Sequence, residues 1–217
     1  MMRMETHMTQ SMTFECTKTF NLDGALRGMR NPMDSWDKSD SYTYNNLFML
    51  GENDKRLAQD LIKGGAPHRK FIRQIFVCVD ITAPRYWWTE FDTYRVGVEK
   101  DSCSTMHKIM AYPFTMNMFA IPESDMSDPY EQVTWEETIH NLNRLRRNYL
   151  KTKEDKYFFR LKRHLPESFL QKRTVTLSYE AIYQIIQWRS NHRLQEWHDF
   201  VDWAKTLPYA KELLFIE

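Results

Sequence analysis

The segment from Phe71 to Ile81 constrains this chain more than any other. Its centre, Ile75-Phe76-Val77-Cys78-Val79, is an unbroken run of β-branched and aromatic residues, and Pro84 closes it. Such a run reads as a strand buried on both faces, which belongs in a sheet with helices packed over it. The rest of the chain supplies the helical patterns. Asn53-Asp54 can cap a helix carrying Leu57, Leu61 and Ile62, with Gly64-Gly65 as its stop. Between Arg85 and Arg95, Tyr86, Trp87, Phe91 and Tyr94 fall at helical spacing before Gly97, and aromatics in that pattern are expected in the core rather than as a stacking platform. Thr134-x-x-Glu137 is a capping box opening a helix with Trp135, Ile139, Leu142, Leu145 and Tyr149 on one face. Arg173 to Leu177 reads as a short strand, followed by a helix with Ile182, Ile185 and Ile186. A further helix from about Leu194 carries Trp197, Phe200, Val201 and Ala204, and Pro208 starts a last turn. Residues 1–13 read as a frayed start or a short first strand, and residues 31–46, dense in Asp, Ser, Asn and Tyr, as a loop. No internal repeat and no Pro/Gly linker divides the sequence. The expected fold class is therefore α+β: a single mixed α/β domain over residues 1–217, a central sheet with flanking helices.

Charge narrows the partners. Thirty Lys+Arg against 29 Asp+Glu in 217 residues leave a net charge of +1, so no global field draws nucleic acid or an anionic membrane, and neither is expected as a partner. The longest charge-free run, Ile109 to Pro122, is 14 residues with two prolines, short of the roughly 20 apolar residues of a membrane helix. The first residues lack a secretory apolar stretch, which makes the cytoplasm the expected compartment. Cys16, Cys78 and Cys103 form no CxxC pair, so neither a disulfide framework nor a four-thiolate zinc site is available, and no metal is expected. Locally, charge is segregated. From Ile121 to Ile139 there are six acids and no Lys or Arg, which reads as an exposed acidic loop. From Arg144 to Arg173 there are eleven Lys and Arg against three acids. That segment is either the solvated face of an amphipathic helix or a local field for phosphates.

Generic nucleotide, metal and hydrolase signatures are absent: there is no GxGxxG, GxxxxGK[ST], HExxH or GxSxG. A set of spacings remains. Thr93-Tyr94-Arg95 is followed after seven residues by Cys103, within Ser102-Cys103-Ser104-Thr105, and His68 lies upstream before the predicted buried strand. Downstream, Leu165-Pro166 precedes Trp188-Arg189, and Gln195 follows Arg189 by six residues. Taken alone, Cys103 reads as a small buried hydrophobe or a reactive thiol. Arg189, His192, Arg193 and Glu196 read as one helical face bearing an ion-pair stripe.

Together these spacings resemble the flavin-dependent thymidylate synthases, whose hallmark is Arg-His-Arg, seven residues, then Ser. The likeness runs from His68 to Gln195, leaving about Met110 to Arg160 unmatched. It implies that His68, Thr93, Tyr94, Arg95, Asp101, Ser178 and Gln184 hold FAD. It implies further that Glu90, Asp101, Ser102, Cys103, Ser104, Thr105, Lys162, Arg189 and Gln195 hold dUMP. Cys103 takes the place of the motif serine, and Lys162 the place of an arginine close before Leu-Pro, keeping the charge without the bidentate geometry. Arg189 is the implied catalytic residue, polarising the uracil imide. The implied reaction is reductive methylation of dUMP to dTMP, with methylene-tetrahydrofolate and NADPH as co-substrates. The implied assembly is a homotetramer whose sites draw on several subunits. Thr93 and Tyr94 depart from the first Arg and the His of the hallmark. That departure leaves open a changed transfer, such as hydroxymethylation of a pyrimidine nucleotide, and a nucleotide-binding or assembly protein without catalysis.

Overall fold

The computed structural model describes residues 12–216. The elements run β1 (Thr13–Phe20), α1 (Leu22–Gly28), β2 (Tyr42–Tyr44), β3 (Leu47–Met49), α2 (Glu52–Lys63), β4 (Phe76–Pro84), α3 (Arg85–Phe91), β5 (Val98–Ser102), α4 (Glu123–Ser127), α5 (Pro129–Thr152), α6 (Asp155–His164), β6 (Leu170–Ser178), α7 (Tyr179–Arg189), α8 (Gln195–Lys205) and α9 (Ala210–Leu213). Four strands form a mostly antiparallel sheet in the order β1-β4-β6-β5, so the α+β class with helices about a sheet holds. Of the expectation for residues 1–13, the part up to residue 11 lies outside the described residues, and β1 begins at Thr13.

β4 is the strand the Ile75 run calls for, ending at Pro84, but its two faces differ. Val77, Val79, Ile81 and Ala83 are buried, while Cys78, Asp80 and Thr82 are only half-buried. Burial on both faces was therefore an overreading: the period of two, which Cys78 and Asp80 carry, decides which side meets the core.

Residues 31–46 are more regular than the loop expected. Two single turns of 3-10 helix precede the hairpin of β2 and β3, in which Thr43 faces Phe48. Asn45 and Asn46 make the turn with φ of 47° and 62°, a left-handed pair that asparagine tolerates better than most residues.

Helix α2 starts one residue before Asn53, and its cap comes from elsewhere. The Asp40 carboxylate accepts the backbone N–H groups of Asn53 (2.9 Å) and Asp54 (3.1 Å), and the Asn53 N–H above all holds its pKa below the ordinary carboxylate value. Asp54, read as a cap, is buried at 1% exposure in an ion pair with Arg30.

The acidic stretch is helix, not loop. α5 opens at Asp128, whose side chain accepts the Tyr130 N–H at 2.8 Å, with Pro129 at the first helical position. Thr134 sits inside the helix and bonds back to the Tyr130 carbonyl at 2.9 Å, so the capping box does not form. The face from Trp135 to Tyr149 is apolar as read.

By their contacts the described residues form two units. One holds Ile81–Thr93 and Ser102–Arg173; the other holds Phe14–Asp80, Tyr94–Asp101 and the chain from Thr174 onward. In the first, Leu142, Leu145, Leu161 and Leu165 bury against Phe114, Phe119 and Ile121. Trp87 stacks on Phe91 at 4.8 Å, with both rings fully buried. In the second, Phe14 stacks on Trp203 at 4.9 Å, and Trp197, Phe200 and Ile182 are fully buried. No helix of the described residues is long and apolar enough to cross a membrane.

Candidate functional site

An open cleft of about 250 Å³ lies in the first unit. Its polar wall begins where β5 ends, at Cys103, Ser104 and Thr105, and Lys108, Gln171 and Lys172 continue it. Ile109, Phe114, Met118 and Phe169 form the apolar side. Cations around an apolar floor suit a planar, anionic ligand, because the floor takes the ring and the ammonium groups take the charge.

Backbone bonds shape this wall. The Cys103 N–H donates to the Lys172 carbonyl (2.9 Å), and the Gln171 amide donates to the Cys103 carbonyl (2.8 Å). Ser104 Oγ accepts the N–H groups of Met106 and His107, both at 3.2 Å, which tightens the following turn. The Lys162 ammonium, in the last turn of α6, donates to Thr105 Oγ1 at 2.6 Å. Burial first, and the nearby Arg85 charge second, push the Lys162 pKa below its ordinary value. Cys103 itself is exposed rather than a buried hydrophobe.

α5 holds the opposite wall. Asn143 accepts the Phe114 N–H (2.8 Å) and donates to the Phe114 carbonyl (2.9 Å), while Arg146 donates to the carbonyls of Met110 and Ala111. Arg173 binds both oxygens of Asp92 and lies over the Trp88 ring. Much of the basic segment is thus engaged in structure, which a count of charges does not reveal.

The structure therefore brings Cys103, Ser104, Thr105 and Lys162 together. Ser102 is exposed at the end of β5. Glu90 is half-buried near the end of α3, and its carbonyl accepts the Thr93 hydroxyl at 2.7 Å.

The remaining residues belong to the second unit. Arg189, at the end of α7, donates to Tyr94 Oη (2.8 Å) and lies over the Trp197 ring at 4.7 Å. Tyr94 stacks at 6.1 Å on Trp188, which is 66% exposed. Arg95, Asp101 and His68 are exposed, and Gln195 binds Asp199 at 3.0 Å. Ser178 is buried and accepts the Ala181 N–H as the cap of α7, and Gln184 donates to Glu180 at 2.8 Å. The surface stripe read from Arg189 to Glu196 does not form: α7 ends at Arg189, α8 starts at Gln195, and Glu196 is buried.

Lys108, Tyr112, Phe169, Gln171 and Lys172 line the cleft and were missed. Tyr112 lies in the charge-free run, and Phe169 to Lys172 had no motif to single them out.

Neither a protein-family model nor a curated protein sequence matches the chain. The fold does match: it is that of the flavin-dependent thymidylate synthases. The chain is similar to the Helicobacter pylori flavin-dependent thymidylate synthase ThyX complexed with FAD and dUMP, with a TM-score of 0.67 and 18% identity over 93% of this chain and 97% of the other. A second structure of ThyX from Helicobacter pylori, also with FAD and dUMP, gives 0.66 and 18% over 94% and 97%.

For a flavin dinucleotide, the fit can be read from donors. Its diphosphate needs cations with unengaged N–H groups, and the exposed Arg95 guanidinium makes no hydrogen bond or ion pair among the described residues. Its rings need an open aromatic face, and Trp188 provides one. Ser178 and Gln184 offer less, since both side chains are already bonded.

Proposed function

We propose that this chain converts dUMP to dTMP, taking the one-carbon unit of methylene-tetrahydrofolate and reducing it with NADPH. The cleft wall of Cys103, Ser104 and Thr105, with the Lys162 ammonium bonded to Thr105 Oγ1, carries the reading, in a fold shared with two ThyX structures complexed with FAD and dUMP.

In this reading Lys162 and Lys108 neutralise the nucleotide phosphate, and the apolar side of the cleft excludes water from the pyrimidine. Cys103, Ser104 and Thr105 orient the nucleotide, a role the family resemblance also gives to Ser102, Asp101 and Glu90. Arg189, with Gln195, meets the imide oxygen and holds negative charge there as the ring becomes nucleophilic at carbon. Tyr94 and Trp197 hold the Arg189 side chain. Arg95, His68, Thr93 and Tyr94 hold FAD. When bound and first reduced by NADPH, FAD would supply the hydride that turns the transferred methylene into a methyl group. Residues 1–217 act as a single domain within a cytoplasmic homotetramer whose subunits complete one another's sites. Nucleic acid and membranes have no part in the reaction.

A second reading, nucleotide binding without transfer, is favoured by Ser178 and Gln184, whose side chains are bonded internally. The test is to incubate the protein with FAD, NADPH, methylene-tetrahydrofolate and dUMP and to follow dTMP by chromatography. Product that requires all four supports the synthase; hydroxymethylated nucleotide points to altered transfer; dUMP binding with neither product supports the second reading.

A further inference from the structure

We propose that Gln171 is a positioning residue for the cleft, fixing the Cys103–Thr105 wall to the buried aromatic core. The inference rests on the reading of the cleft as a nucleotide site, and Gln171 has no place in the resemblance that led to that reading.

The geometry has a direction. Gln171 Nε2 donates to the Cys103 carbonyl at 2.8 Å, while Gln171 Oε1 accepts from Arg173 Nε (3.2 Å) and Nη2 (3.1 Å). A guanidinium only donates and a carbonyl only accepts, so the amide has one orientation that satisfies both neighbours. Arg173 is itself fixed. Its Nη1 reaches both Asp92 oxygens, at 2.8 and 3.1 Å, and its guanidinium carbon lies 4.2 Å from the centre of the Trp88 ring. Trp88 is fully buried, and its indole N–H donates to the Gln171 carbonyl at 2.9 Å. Gln171 is thus gripped through its backbone by Trp88 and through its side chain by Arg173, and it passes that constraint to Cys103.

Cys103 is held at both backbone groups, because its N–H also donates to the Lys172 carbonyl at 2.9 Å. Two consecutive residues of β6 therefore set the backbone from which Ser104 and Thr105 follow, and Thr105 receives the Lys162 ammonium. Loss of the Gln171 donor frees the carbonyl side of Cys103 and loosens the wall that faces the ligand, with Arg173 still on Asp92.

Gln171→Glu separates this role from a merely structural one. The carboxylate keeps and strengthens the acceptor for Arg173, but it places an oxygen against the Cys103 carbonyl where a donor stood. The expected result is a thermal midpoint at or above that of the unchanged protein, with faster amide hydrogen exchange in residues 103–107 of the ligand-free protein. dUMP affinity, read by calorimetric titration, is expected to fall about tenfold. Gln171→Met, which removes donor and acceptor without adding charge, is expected to give the same faster exchange with a lower midpoint. Unchanged exchange in residues 103–107 in both variants overturns the proposal, as does an unchanged dUMP affinity in folded Gln171→Glu. The exchange comparison needs no ligand, so a chain that binds no dUMP at all sinks the proposed function while leaving this inference to be decided by exchange.

Discussion

The ammonium of Lys162 and the hydroxyl of Thr105, 57 residues apart in the chain, meet at 2.6 Å beside the cleft that Thr105 lines. Burial and the Arg85 charge lower the Lys162 pKa, so its cationic form is lost earlier on the alkaline side than that of an ordinary lysine. An anion binds the charged form. Affinity for dUMP is therefore expected to hold at neutral pH and to fall as pH rises through a value below the ordinary ~10.4. Lys162→Arg stays charged throughout and should flatten that profile. Titrations of both proteins between neutral and alkaline pH check it, and parallel profiles would remove Lys162 from the phosphate site.

Arg189 is expected to matter for turnover more than for the fold. Its contacts to Tyr94 and Trp197 lie at a helix end, and its side chain is half-buried. Arg189→Ala should lower kcat by about a hundredfold or more, as loss of one charge-stabilising donor does, with an almost unchanged circular dichroism spectrum. A folded Arg189→Ala protein that forms dTMP at the native rate would contradict the assignment.

Stability in acid is expected to follow Asp54. Burial raises the pKa of this carboxyl, but hydrogen bonds from Ser41, Ser39 and Arg30 outweigh it, so the folded value lies below the ordinary one. The unfolded chain then binds the proton more readily. The contribution is present above the unfolded value of about 3.9 and lost as pH falls through the folded value. Asp54→Asn leaves the Arg30 charge buried and should cost about 3–5 kcal/mol near neutral pH. Urea unfolding of the two proteins from acid to neutral pH measures both effects, and the gap between them should shrink in acid.

Helix α5 offers a test of its starting point. Asp128→Ala removes the side chain that accepts the Tyr130 N–H and should cost about 1 kcal/mol. Thr134→Ala, at the apparent capping box, removes only a bond back to the Tyr130 carbonyl and should change little. Equal losses in the two variants would place the cap wrongly.

These contrasts show what the sequence made legible. Apolar spacing from Trp135 to Tyr149 identified a true core face because burial follows the helical period directly. The capping box at Thr134 and the caps at Asn53 and Asp54 misled because the same short polar residues also serve inside helices, in ion pairs and in caps supplied from elsewhere, as Asp40 does. Spacing to a known family singled out the Cys103 to Thr105 segment, which lines the cleft, and Lys162, which bonds to Thr105. Gln171, Lys172 and the Phe114 wall were not. Their roles arise from strand register and from Asn143 and Arg146 of α5, which are contacts that no local pattern announces. The basic segment was legible as charge but not as function, since Arg146 and Arg173 are tied to carbonyls, a carboxylate and a ring.

The most direct test of the central claim is the visible absorption spectrum of the protein mixed with FAD and then titrated with dUMP. The protein is expected to bind flavin whose absorption bands shift on adding dUMP, with a shift that weakens in Arg189→Ala. A protein that retains no flavin, with or without dUMP, would contradict it.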